Sequence, residues 1–100
     1  MRVLLKAQMD VAAANEAVKS GAIGKALQEV MQQLQPEAAY FGPSGGKRTA
    51  FIFFDLKDPS QIPLVSEPFY QITQASVEII PVMNADDLQE GLRQLGESQG

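Results

Sequence analysis

One hundred residues, 45% of them hydrophobic and 20% charged, make a single globular domain rather than a disordered or fibrous chain. The formal charge of -4, with only eight Lys and Arg spread along the chain, argues against nucleic acid and anionic membrane as partners. The lack of Cys and His excludes a disulfide framework, a thiol nucleophile and thiolate or imidazole metal sites, leaving carboxylates, Lys, Arg, Tyr, Ser and Thr, or a bound cofactor, for any chemistry.

The chain opens on MRVLLKAQMD, a short apolar run interrupted by Lys6. It has neither the long apolar stretch nor the small-residue cleavage site of a secretory signal, and no segment approaches a membrane span. A soluble cytoplasmic protein is the expectation. Residues 2–9 alternate as a strand does, with Val3, Leu5, Ala7 and Met9 on one face and Arg2, Leu4, Lys6 and Gln8 on the other.

Residues 11–34 read as helix in two parts. Ala-rich residues 12–19 are good helix formers, and Ile23, Leu27, Val30, Met31 and Leu34 form an apolar stripe at helical spacing. Gly21 and Gly24 weaken the interior, which predicts a break near Gly21. Pro36 ends the element by disfavouring helical geometry at Gln35.

Two strands follow, EAAYF and RTAFIFFDL, around the loop GPSGGK. Aromatic and β-branched residues put apolar groups on both faces of the second, the mark of a central strand. The loop resembles a phosphate cradle only superficially. A P-loop needs G-x-x-x-x-G-K-[ST] leading into a helix. Here Gly42 and Gly46 are one residue too close, Arg48 replaces the hydroxyl, and a strand follows. A hairpin turn is expected instead, with Pro43 and Ser44 in the turn and Gly45 or Gly46 at positive φ.

In DPSQIPLVSEPFYQI, Asp58, Pro59 and Gln61 form a helix-start signature, while Pro68 interrupts the ladder at the Leu64 carbonyl. A short, bent, partly 3₁₀ element is expected. ASVEIIPVM forms a last strand with Pro81 near its end, as suits an edge. In NADDLQEGLRQLG, Asn84 caps a helix, Asp86 and Asp87 complement its dipole, Leu88, Leu92 and Leu95 make its stripe, and Gly96 stops it. Residues 1–96 thus form one domain, and 97–100 a frayed tail. The order β-α-β-β-α-β-α contains the split βαβ arrangement of an α+β, ferredoxin-like fold, with helices on one face of the sheet.

PEAAYF, GKRTAF, SEPF and PVMNADDL resemble segments of a group of small, uncharacterised bacterial proteins of about this length, and the likeness covers nearly the whole chain. These look like members of the dimeric α+β barrel superfamily. The resemblance implies two ferredoxin-like subunits packed sheet to sheet. Relatives include cofactor-independent antibiotic-biosynthesis monooxygenases, muconolactone isomerase-like enzymes, haem-binding members and members without known activity. The His residues of several enzymatic branches are absent here.

A strand order of 4-1-3-2 pairs the first and last strands antiparallel, in the register Leu4–Ile80, Lys6–Glu78 and Gln8–Ser76. Lys6 and Glu78 then form either a polar site, with Glu78 as base and Lys6 as anion anchor, or an ordinary cross-strand ion pair. Arg48 can bind a carboxylate bidentately and Tyr40 can donate a hydrogen bond, or both serve only the rim and the neighbouring strand. Glu67, beside Pro68 and Tyr70, sits where a broken cover helix can leave a cleft, which would extend to Asn15 across the first helix break. The candidate ligand site is therefore Asn15, Tyr40, Arg48, Glu67 and Tyr70. Asp10, Asp55, Asp58, Asp86 and Asp87 have no recognisable metal spacing, and no metal or cofactor is expected.

One sheet face is assigned Leu4, Ile52, Phe54 and Ile80, the other Leu5, Phe51, Phe53 and Ile79. Helices cover only one side of a split βαβ sheet, so the first set is expected to form a homodimer interface. The leading functional expectation is a non-enzymatic homodimer binding a small organic ligand. The alternatives are a cofactor-independent oxygenase or isomerase acting on a small cyclic substrate, and a protein-interaction module using the sheet edge.

Overall fold

A computed structural model describes residues 1–99. The elements are β1 (Arg2–Gln8), α1 (Val11–Ser20), α2 (Ala22–Leu34), β2 (Ala38–Ser44), β3 (Lys47–Asp55), α3 (Gln61–Thr73), β4 (Ser76–Pro81) and α4 (Ala85–Gln99). The four strands form one antiparallel sheet in the order β2-β3-β1-β4, which counted from the other edge is β4-β1-β3-β2. This is an α+β architecture compatible with a ferredoxin-like fold. The β1–β4 register places Leu4 opposite Ile80, Lys6 opposite Glu78 and Gln8 opposite Ser76, as the sequence predicts.

The β1–β3 register corrects the expected faces. Leu5 lies opposite Ile52 and Val3 opposite Phe54, whereas Leu4 lies opposite Phe53 and Lys6 opposite Phe51. Residues paired across these two strands have numbers of opposite parity, so Ile52 and Phe54 share a face with Leu5 rather than with Leu4. A one-residue difference in register exchanges whole faces. Val3, Leu5, Ala7, Ala50, Ile52 and Phe54 are buried beneath the helices with Ala14, Val30, Val65 and Phe69. The opposite face presents Leu4, Phe51, Phe53 and Ile80, with Lys6, Glu78 and Tyr40 among them.

Asp10 caps α1 by accepting from the Ala13 N–H at 2.9 Å. Gly21 ends the helix at φ +81°, and α2 begins at the next residue. The expected break is therefore an elbow between two regular helices. Only glycine takes that backbone geometry without strain, whereas Gly24 sits inside α2 with open space around its Cα. Gly21→Ala is expected to lower the unfolding free energy by about 1 kcal/mol, and Gly24→Ala to raise it by about the same. Urea unfolding of the two variants beside the parent checks both signs. Gln35 adopts φ +44° and Pro36 follows, closing α2 as expected.

The β2–β3 hairpin is tighter than expected. Pro43 and Ser44 belong to β2, paired with Arg48 and Lys47, and the turn is Gly45-Gly46 alone. Both glycines have positive φ, the requirement of a type I′ connection, whose twist matches that of the strands it joins. Gln8 donates to the Ser44 carbonyl at 2.7 Å, and a Cβ on Gly45 would come within 2.8 Å of that same Gln8 nitrogen.

The segment after β3 also departs from expectation. α3 is a 13-residue α-helix with Pro68 in its interior, not a short 3₁₀ element. Asp58 and Gln61 do organise its start, one turn earlier than the helix proper. The Asp58 carboxylate accepts from the Ser60 N–H at 2.9 Å, and Gln61 Oε1 accepts from the Lys57 N–H at 2.7 Å. The proline costs one ladder bond, at the carbonyl of the exposed residue Leu64. Val65, Phe69 and Thr73 are buried against the sheet and hold the helix through the interruption.

Asn84 and Asp87 cap α4 reciprocally. The Asp87 N–H donates to Asn84 Oδ1 at 2.8 Å, and the Asn84 N–H to Asp87 Oδ2 at 3.2 Å. The helix then runs through Gly96 to Gln99, beyond the expected stop. None of its residues is buried, and Leu88, Leu92 and Leu95 are 44%, 56% and 51% exposed. Among the described residues its side-chain tie to the body is the Arg2–Asp87 ion pair at 3.4 Å. The chain is accordingly elongated, 59 × 27 × 19 Å. Its radius of gyration of 16.3 Å compares with about 13 Å for a compact chain of this length.

Candidate functional site

The elbow at Gly21 and the tight hairpin together create a concavity. The hairpin carries Phe41 and Pro43 alongside the two helices, while Met9 leads from β1 into Val11 at the start of α1. Ile23 and Leu27 look in from α2. Between them lies an open cleft of about 610 Å³, with Lys47 and Arg48 at its border. The size falls within the range of small-molecule sites, and most of the wall is apolar.

Arg48 is placed by both its backbone and its side chain. Its carbonyl accepts from the Met9 N–H at 2.9 Å, and its Nη1 donates to Asn15 Oδ1 at 2.8 Å. Among the described residues, neither Arg48 nor Lys47 forms an ion pair, whereas Arg2, Lys19 and Arg93 all do. Among the described residues, no Asp or Glu lines the cleft.

Of the five residues proposed from sequence, the fold brings Asn15 and Arg48 together. Tyr40 lies on the other face of the sheet, opposite Phe51, and is 65% exposed. Glu67 is exposed on α3, where it accepts from Gln71 at 3.3 Å, and Tyr70 lies partly exposed on the same helix. Neither borders the cleft. Lys6 and Glu78 stand opposite each other in register but form no ion pair, so the expected cross-strand bridge is absent among the described residues. The residues that sequence reasoning did not assign to the site are Met9, Val11, Ile23, Leu27, Phe41 and Lys47. Their signals were the apolar stripe that contains Ile23 and Leu27, and the place of Lys47 directly after the turn.

A second concavity, near the start of β1, is occupied by ion pairs. Arg2 Nε donates to Glu37 and Arg2 Nη1 to Asp87, while the Met1 amine donates to Asp55 at 2.6 Å. The hydrogen bond that Arg2 donates to Glu37 chiefly raises the Arg2 guanidinium, and that from the amine lowers the Asp55 carboxyl. On α4, hydrogen bonds from Arg93 and then Gln94 bring the Glu90 carboxyl down to about 2. Asp55 and Glu90 are thereby stabilised in their charged forms, which suits structural pairing rather than proton transfer at neutral pH.

Compared with known proteins, the chain matches no family model and no curated protein. Fold and site define a small α+β domain with a four-stranded antiparallel sheet and an open, apolar, cation-bordered cleft on its helical side. Among the described residues, no helix is long and apolar enough to cross a membrane, and no group of three or more His, Cys, Asp or Glu is placed to hold a metal ion.

Proposed function

We propose that the protein is a ferredoxin-like member of the dimeric α+β barrel kind, working as a homodimer that binds a small organic ligand without itself catalysing a reaction. The observation that carries the self-association is α4, a capped 15-residue helix with an apolar stripe and no buried residue. A helix of this length standing alone is marginal in water, because packing of the apolar face supplies most helical stability. The uncovered sheet face, with Leu4, Phe51, Phe53 and Ile80, offers a second apolar surface in the same protomer.

A second copy answers both needs through one two-fold axis, with each sheet facing its mate and each α4 reaching across to the other protomer. Complete burial of a Leu or Phe side chain is worth about 1.5–3 kcal/mol, and these residues start roughly half covered. Seven of them in each protomer offset the cost of association by a margin that a monomer cannot obtain. The cleft lies on the helical side of the sheet and stays open in such a dimer.

Sedimentation equilibrium across micromolar concentrations, paired with native mass spectrometry of protein isolated from its own host, tests this reading. A dimer carrying a small organic mass is the expected result. A monomer at every concentration removes the self-association, and a ligand-free mass leaves the binding role to be decided by direct titration.

A further inference from the structure

We infer that the cleft between the α1–α2 elbow and the β2–β3 hairpin takes a small amphipathic carboxylate, its apolar body among the cleft side chains and its charged head on Arg48 and Lys47. This deepens the ligand-binding reading above by naming the chemical class, and it does not depend on the dimer.

Three observations converge. The wall formed by Met9, Val11, Ile23, Leu27 and Phe41 has no charged group and accommodates hydrocarbon. The polar part of the border is cationic in a chain whose net charge is -4. Lys47 and Arg48 are two of only eight cations, and no acidic side chain neutralises either one. A neutral ligand would desolvate these charges without compensation, whereas an anion compensates them.

The arginine is also oriented. Asn15 Oδ1 holds Nη1 at 2.8 Å and fixes the guanidinium plane, leaving its other N–H groups to donate. A planar fork of this kind matches the two oxygens of a carboxylate, and Lys47 adds a mobile point charge. The apolar share of the wall excludes a highly charged ligand. A nucleotide is further disfavoured because the loop leads into β3, so no helix N-terminus faces the cleft from the hairpin.

The test uses octanoate and 1-octanol, equal in chain length and different in charge, titrated into the full-length protein and followed by amide NMR shifts. Octanoate is expected to saturate, with the largest shifts at Val11, Ile23, Leu27 and Phe41. It should bind about tenfold or more tightly than octanol, the range a charge-assisted hydrogen bond supplies. Arg48→Gln should weaken octanoate by about tenfold and leave octanol unchanged. Lys57→Gln, the same charge change away from the cleft, should leave both unchanged. Leu27→Trp should block both ligands by filling the cleft. Equal binding of octanoate and octanol, insensitive to Arg48→Gln, overturns the carboxylate assignment while leaving the cleft a ligand site. Shifts that map outside the cleft, or no saturable binding of either compound by a folded protein, overturn the assignment and the ligand-binding reading together.

Discussion

Phe53→Asp is expected to give a folded monomer, and its neighbour Phe54→Asp no stably folded protein. The two side chains are adjacent in sequence and differ only in the sheet face they occupy. Phe54 is 1% exposed and lies opposite Val3 within the helix-covered core. Removing its ring alone, as in Phe54→Ala, should cost about 3–5 kcal/mol. That is a large part of the ~5–15 kcal/mol that stabilises a domain, and burying a carboxylate adds further to it. Phe53 lies opposite Leu4 and Ala38 on the uncovered face, where a carboxylate in the monomer remains in water. In the proposed dimer the same carboxylate would be desolvated against a second sheet. Sedimentation and far-UV circular dichroism distinguish the outcomes. A Phe53→Asp protein that remains dimeric at micromolar concentration excludes this face from the interface.

The second large effect concerns α4. Leu92→Asp is expected to dissociate the dimer and melt this helix, while the sheet and the α1–α3 cover unfold at an unchanged urea concentration. If the proposed dimer forms, the same coupling makes helical ellipticity fall on dilution, because α4 would then take its packing from the second copy. The Glu90–Arg93 contact at 2.5 Å strengthens the helix locally. Its pH dependence has a definite sign. The Glu90 carboxyl is lowered to about 2, so the contribution is fully present above the usual carboxylate range and is lost as pH falls toward 2. Ellipticity that is independent of concentration, with Leu92→Asp still dimeric, separates α4 from assembly.

Much of the architecture was legible because local chemistry fixed it. Alternation in β1 predicted its buried residues, Gly21 predicted the elbow, and Asn84 predicted the cap of α4. Centring β1 on β4 gave the correct register because both strands are short and regular. The β1–β3 faces were not legible. β3 is apolar at Phe51, Ile52, Phe53 and Phe54 in succession, so its composition contains no alternation to read, and only the hydrogen-bond ladder decides which pair points inward. Pro68 misled for a related reason. Its local cost is real, but burial of Val65, Phe69 and Thr73 outweighs one missing ladder bond. The site was half legible. Arg48 and Asn15, 33 positions apart, are brought together by the fold; Arg48 was singled out for its chemistry and Asn15 for its place across the first helix break. Glu67 and Tyr70 were chosen on the premise of a broken cover helix, whereas α3 is continuous from Gln61 to Thr73 and neither residue borders the cleft beside the elbow.

The elbow at Gly21 divides the inheritance of this chain into two independent accounts. Val11 belongs to the rod before it, Ile23 and Leu27 to the rod after it, so one backbone joint sets the distance between opposite walls of the cleft. The sheet residues beneath answer to a different constraint, the strand ladder, which the joint does not touch. A lineage can therefore change the shape of the cleft by altering the few residues around the joint, while the buried sheet stays as it is. Divergence among descendants of this fold should concentrate in residues 20–24 and in the hairpin tip that faces them.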